Sequence, residues 1–182
     1  MSNELLNKGR TALSVGEWEK ARDYFQSALS EDQSPEIYEE LGWACWWLND
    51  AAGVFENRTK AFNFYLQKED KLGSARNACW IAVDYIEFKG EFAIASGWFK
   101  RAENLLEGLP TSSELCMFKI LKARWTFQVD KNSGFNLFMN IPVAETFWSA
   151  VIIILFKYKP LVICLWNYTI SQVKVKTHNN GG

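Results

Sequence analysis

The chain has 182 residues, of which 48% are hydrophobic and 23% charged, with a formal net charge of −1. That length suits one domain, or one domain and a tail, and the balanced charge gives no global attraction to nucleic acid or to an anionic membrane. Nine Trp and thirteen Phe are the unusual feature.

The start, MSNELLNKGRTALSV, has no basic stretch leading into an apolar run, so no secretory signal is expected. Without one, the sequons at Asn57 and Asn167 read as chance. Apolar spacing then predicts helices over 4–15 and 18–30, 36–48 and 51–69, and 74–88 and 92–107. Each two form a pair around a tight turn. The segments SEDQSPE (30–36) and EGLPTSSE (107–114) carry the Ser and Pro that cap and close helices.

These pairs repeat. Gly16 is followed by an aromatic at +2 (Trp18), Ala at +5 (Ala21), an aromatic at +9 (Phe25) and Ala at +12 (Ala28). Gly90 is followed in the same way by Phe92, Ala95, Phe99 and Ala102. Steps of three and four put these side chains on one helical face, where a small Ala lets a neighbour approach and a Phe fills the space between. Asn49 occupies the turn position of the second pair, which departs at Val54 and Arg58 from the expected Ala and aromatic. Gly9 to Gly42 is 33 residues, whereas Asn49 to Gly90 is 41, which implies a second helix a turn or two longer in pair two. A last segment, LCMFKILKARWTFQ (115–128), reads as the first helix of a fourth pair whose partner never follows.

Gly9, Ala12, Gly16, Trp18, Ala21, Phe25 and Ala28 resemble the signature of the tetratricopeptide repeat. Taken together, GEWEKARDYFQSAL, ELGWACWWLND and ACWIAVDYIEFKGEFAIASGWFKRAENLLEGLP are similar to the repeat region of bacterial LuxR-type transcriptional regulators, over about residues 4–125. The resemblance implies an all-α, right-handed helical solenoid of about three helix-turn-helix pairs plus one extra helix, filling a domain over 1–130. It also implies a sensor or interaction platform, to which a separate DNA-binding half would belong.

In such arrays the first helices line a concave groove and the second helices form the back. The resemblance puts Tyr38, Leu41, Gly42 and Cys45 in the core, with Glu39, Trp43, Trp46 and Trp47 toward the groove. Leu6, Arg10, Leu13 and Ser14 are the matching groove positions of the first pair, and Asn77, Trp80, Asp84, Glu87 and Phe88 those of the third. Trp46 is the ring assigned to packing between pairs. The expected partner-binding set is Arg10, Glu39, Trp43, Trp47, Trp80, Asp84 and Glu87, an aromatic groove with a charged rim that would take a peptide or partner helix.

Beyond Asp130 the composition changes. Residues 133–182 hold one acid, Glu145, and four lysines, against twenty acids and sixteen bases before them. The apolar stretch FWSAVIIILFKYKPLVICLW (147–166) admits three readings: a membrane anchor, a β-hairpin, or a divergent or frame-shifted ending that never completes the array. The third is preferred, giving 131–182 as an irregular apolar tail; the anchor makes the alternative protein a membrane-tethered repeat protein.

Chemistry is sparse. There is no GxGxxG, phosphate-binding loop, HExxH or GxSxG, and the one histidine, His178, lies in the tail. No metal site, cofactor or enzyme activity is expected, and with no recognition helix apparent, no direct nucleic-acid contact. The pair Asp84 and Glu87 reads as a solvated helical face. Cys45, Cys79, Cys116 and Cys164, without a CxxC, read as buried free thiols in a reducing compartment, hence a cytoplasmic protein.

Overall fold

In the computed structural model of the chain, residues 2–129 are described; the readings offered for residues 131–182 lie outside them. Among the described residues all regular structure is helical. The elements are α1 (Ser2–Ser14), α2 (Trp18–Leu29), α3 (Pro35–Trp47), α4 (Ala51–Gln67), α5 (Lys71–Asp84), α6 (Phe92–Leu106) and α7 (Ser113–Val129). α5 runs on into one π-helical turn, Tyr85–Lys89. Among the described residues, α1 to α6 form one compact unit, Met1–Pro110, and α7 belongs to a second unit that begins at Thr111.

Local chemistry accounts for most helix ends. Pro35 opens α3 after an extended Ser34, where the missing N–H costs nothing. Asp50 and Asp70 cap α4 and α5, their carboxylates accepting from Gly53 N at 3.0 Å and Gly73 N at 2.9 Å. At the other end, α1, α3 and α4 stop in one repeated way. Glu17, Asp50 and Asp70 donate their backbone N–H to the carbonyls of Ala12, Cys45 and Tyr65, around the left-handed residues Gly16, Asn49 and Glu69. Glu69 (φ 58°) is the surprise, since no Glu side chain announces that conformation.

Hence α4 ends at Gln67 rather than Lys68 or Glu69, and α5 begins at Lys71, three residues before the expected start. The longer spacing of the third pair also has two sources instead of one. α4 has 17 residues against 12 in α2, and the π-helical turn adds five more residues after α5.

Packing follows chain order: each of α1 to α5 packs on the next helix, and α1 also reaches α3. The repeat positions form the seams. At +5 stand Ala21, Val54 and Ala95, and at +12 Ala28, Ala61 and Ala102, all fully buried. At +9 stand Phe25, Arg58 and Phe99, at 0%, 0% and 2% exposure. For Phe25 and Arg58, the position sixteen residues earlier is a glycine that they pack against. Gly9 lies so close to Phe25 that a Cβ there would sit 2.3 Å from the ring, and at Gly42 a Cβ would meet Arg58 Cγ at 3.1 Å.

Two substitutions of the same kind therefore differ in sign. Gly9→Ala overfills the Phe25 seam and is predicted to cost about 1–3 kcal/mol of unfolding free energy. Gly97→Ala, inside exposed α6 with nothing near the added methyl, is predicted to gain about 1 kcal/mol. Urea unfolding followed by circular dichroism measures both.

Candidate functional site: an aromatic interior and its exposed margin

The fully buried Arg58 stands where the other pairs hold phenylalanine. Its guanidinium has to be compensated inside the fold, and three side chains do this. Arg58 Nε lies 2.6 Å from Asp84 Oδ2, with both side chains at 0% exposure. Arg58 Cζ lies 4.3 Å from the Trp43 ring centre and 5.7 Å from that of Trp80, within cation–π range of both. The two indoles meet edge to face at 4.7 Å. The sequence already placed Arg58 at a repeat position; the missed signal was that a charge at this buried offset needs an opposite charge on an adjacent helix.

A second buried network lies alongside. Glu39 (α3) accepts two hydrogen bonds from Arg76 (α5), at 2.7 Å to Oε1 and 2.8 Å to Oε2, and one at 3.1 Å from the Tyr65 hydroxyl (α4). Two parallel bonds from one guanidinium fix angle as well as distance, so this contact aligns α3 with α5. Burial pushes Glu39 upward, but the Arg76 bonds and charge, with the Tyr65 bond, outweigh it and hold the carboxyl below its usual range. The same burial, together with the Glu39 charge, pushes the Tyr65 phenol up.

Four of the seven expected groove residues are thus interior. Glu39 is 8% exposed, Trp43 5%, Trp80 3% and Asp84 0%. The physical reason is that α5 is buried nearly all round. Gly73, Ser74, Ala75 and Asn77 through Asp84 are inside, and its turns of small residues let the Trp and Arg side chains close over it. The reading of Asp84 and Glu87 as one solvated face fails for Asp84 and holds for the exposed Glu87, because the π-helical turn begins between them.

Three expected residues do reach the surface. Arg10 is exposed and bridges α1 to α3 through Glu40 at 2.7 Å. Trp47 is half-buried, stacked on Trp18 with ring centres 4.8 Å apart and planes 14° apart. Trp46, the ring assigned to packing, is half-buried against the core of the first two pairs and meets Trp43 and Trp47 edge-on. Asn77 and Leu6, taken for groove positions, are buried as well.

Among the described residues no group of three or more His, Cys, Asp or Glu side chains converges as a metal site would require. Cys45, Cys79 and Cys116 are free and buried, and Cys164 lies outside the described residues. Burial, then the Asp50 charge, pushes the Cys45 thiol up to about 11, so it is a poor nucleophile at neutral pH. No described helix is long and apolar enough to cross a membrane, and the segment 147–166 lies outside the described residues. No family model, curated protein or solved structure matches this chain.

The Arg58–Asp84 pair yields a prediction. Removing one partner strands the other charge in the interior, so Arg58→Phe or Asp84→Leu alone is predicted to cost about 3–5 kcal/mol. The double variant, which restores the aromatic seen at Phe25 and Phe99, is predicted to recover stability to within about 1 kcal/mol of wild type or better. Additive losses in a urea double-mutant cycle would contradict this.

Burial pushes the Asp84 carboxyl up, and the Arg58 charge and contact pull it back.

Proposed function

We propose that the chain is a non-enzymatic protein-interaction scaffold of tetratricopeptide type, its helix pairs stacked as a right-handed solenoid. The observation that carries this reading is the recurrence of one turn-to-core offset set in three successive pairs. Turn residues of positive φ (Gly16, Asn49 and Gly90) are each followed by buried side chains at +5, +9 and +12. Helices that pack mainly on their chain neighbours are what a stacked array requires, since each pair buries its apolar face only against the next. The likeness to LuxR-type regulators supports assignment as the repeat portion of a bacterial signalling or transcriptional regulator, with a peptide or protein as partner. The three buried free thiols favour a reducing, cytoplasmic setting.

The interior does not bind the partner in this reading; it sets the curvature that a bound partner would alter. Glu39–Arg76 joins two first helices through paired hydrogen bonds and Arg58–Asp84 joins adjacent pairs as a buried ion pair, so a change in spacing at the surface is resisted at these two points. Of the seven residues expected to bind, Arg10 and Glu87 are exposed and Trp47 half-buried, so in this reading these three would touch the partner.

A selection of random 12-residue displayed peptides on the intact chain tests the scaffold reading. The expected result is enrichment of a shared motif, with the selected peptide losing at least about tenfold in affinity against Arg10→Ala or Trp47→Ala while helical circular dichroism is unchanged. A selection that enriches nothing contradicts the scaffold reading.

A further inference from the structure

The two sets of turns that join the helices differ in chemistry. Those between pairs are mainly polar: Glu31, Asp32 and Gln33 in one, Lys68, Glu69 and Asp70 in the other, all exposed, with Leu66 (49% exposed) the large apolar side chain beside the second. Connections at the surface ordinarily look like this. The turns within pairs do not. Val15 is 67% exposed beside Gly16, and Phe92 and Ile94 are 47% and 45% exposed beside Gly90.

Rings join these turns into one strip. Trp18, two residues after the first turn glycine, stacks on Trp47, two residues before Asn49. Phe88, two residues before Gly90, meets Phe55 of α4 at 6.4 Å, and Phe55 also packs on Tyr85 at 4.6 Å. Trp46 and Phe88 both pack against the core cluster of the first two pairs. Phe92 is the repeat equivalent of Trp18 and is 47% exposed. An apolar, ring-rich edge that three successive turns share is a candidate contact surface rather than scattered surface hydrophobics.

Charge selects the occupant. Residues 1–110 contain eighteen Asp and Glu against twelve Lys and Arg, a net charge of −6. The turn segments themselves carry Glu17, Glu19, Asp50, Glu87 and Glu91 against Lys20, bridged to Glu17 at 2.8 Å, and Lys89, which lies 4.3 Å from the Phe55 ring centre. Such a surface repels an anionic bilayer and a second copy of itself, and favours a cation. We infer that the edge formed by the turns within pairs, from Val15 and Trp18 through Trp47 and Phe88 to Phe92, docks a positively charged amphipathic segment of a protein partner. Its apolar side would lie on the rings, and its Lys or Arg would face the flanking glutamates. The inference rests on the scaffold reading and specifies the face used and the class of partner.

The test uses the intact chain and two synthetic 14-residue amphipathic helical peptides, one of Leu and Lys and one of Leu and Glu, followed by fluorescence anisotropy. The expected result is binding of the Lys peptide at least tenfold tighter than the Glu peptide. Phe92→Ser and Trp47→Ala should each weaken it about tenfold, and Glu17→Gln with Glu91→Gln should lower its salt dependence. Phe92 is exposed, so Phe92→Ser reports on binding even if the Trp47 variant unfolds. Equal affinity for the two peptides, binding that is indifferent to Phe92→Ser, adsorption to phosphatidylserine vesicles, or concentration-dependent self-association each overturns the inference. If the peptides selected from the random pool depend on Arg10 but ignore Phe92→Ser, the scaffold stands and the turn edge falls. If neither kind of peptide binds, both fall.

Discussion

A guanidinium sealed from water must be compensated within the fold, and in this chain that constraint organises the centre of the first unit. Arg58 comes from α4, its counter-ion Asp84 from α5, and the indole against its face, Trp43, from α3. Three helices are therefore tied at one point, and none can slide along another without separating charges in a low-dielectric interior. Phe25 and Phe99 fill the same repeat position by shape alone. The ionic version is weaker evidence for stability than for a fixed register, since a well-packed apolar replacement commonly does as well.

Spending the Trp43 and Trp80 rings on this pair changes where a partner could act. A tryptophan enclosed with an arginine is no longer a hot spot for binding, however suggestive its position on a first helix. What remains accessible lies at the margin, where Trp47 leans on Trp18 and where Phe92 has no such cover. The protein is thus divided between an interior that fixes helix spacing and an edge that keeps aromatic surface in reach of solvent. Buried polar groups do the first task because they are directional; half-exposed rings suit the second because they offer apolar area at small entropic cost.

How far the sequence alone leads depends on which rule governs each residue. Helix positions and the turns at Gly16, Asn49 and Gly90 were legible because periodicity and turn chemistry are local. The turn at Glu69 was not, since a left-handed Glu follows no residue preference and is imposed by the Asp70 cap and the packing of α4 on α5. Among the expected site residues, Arg10 and Glu87 lie at the surface. Trp43, Trp80, Glu39 and Asp84 are buried, and spacing on one helix does not reveal it because their burial depends on Arg58 and Arg76 supplying charge from neighbouring helices. Arg58 was visible as a departure from the repeat, and reading it as half of a buried pair was the step that spacing on one helix could not provide.

The division of the tryptophans between a sealed interior and an accessible edge is the central claim. Fluorine NMR of the chain labelled with 5-fluorotryptophan, each resonance assigned by single Trp→Phe replacement, reads it ring by ring through the shift between H2O and D2O. Trp43 and Trp80 should show no solvent isotope shift, whereas Trp18 and Trp47 should each show one. A full solvent shift at Trp43 or Trp80 would place those rings in an open groove and contradict the account.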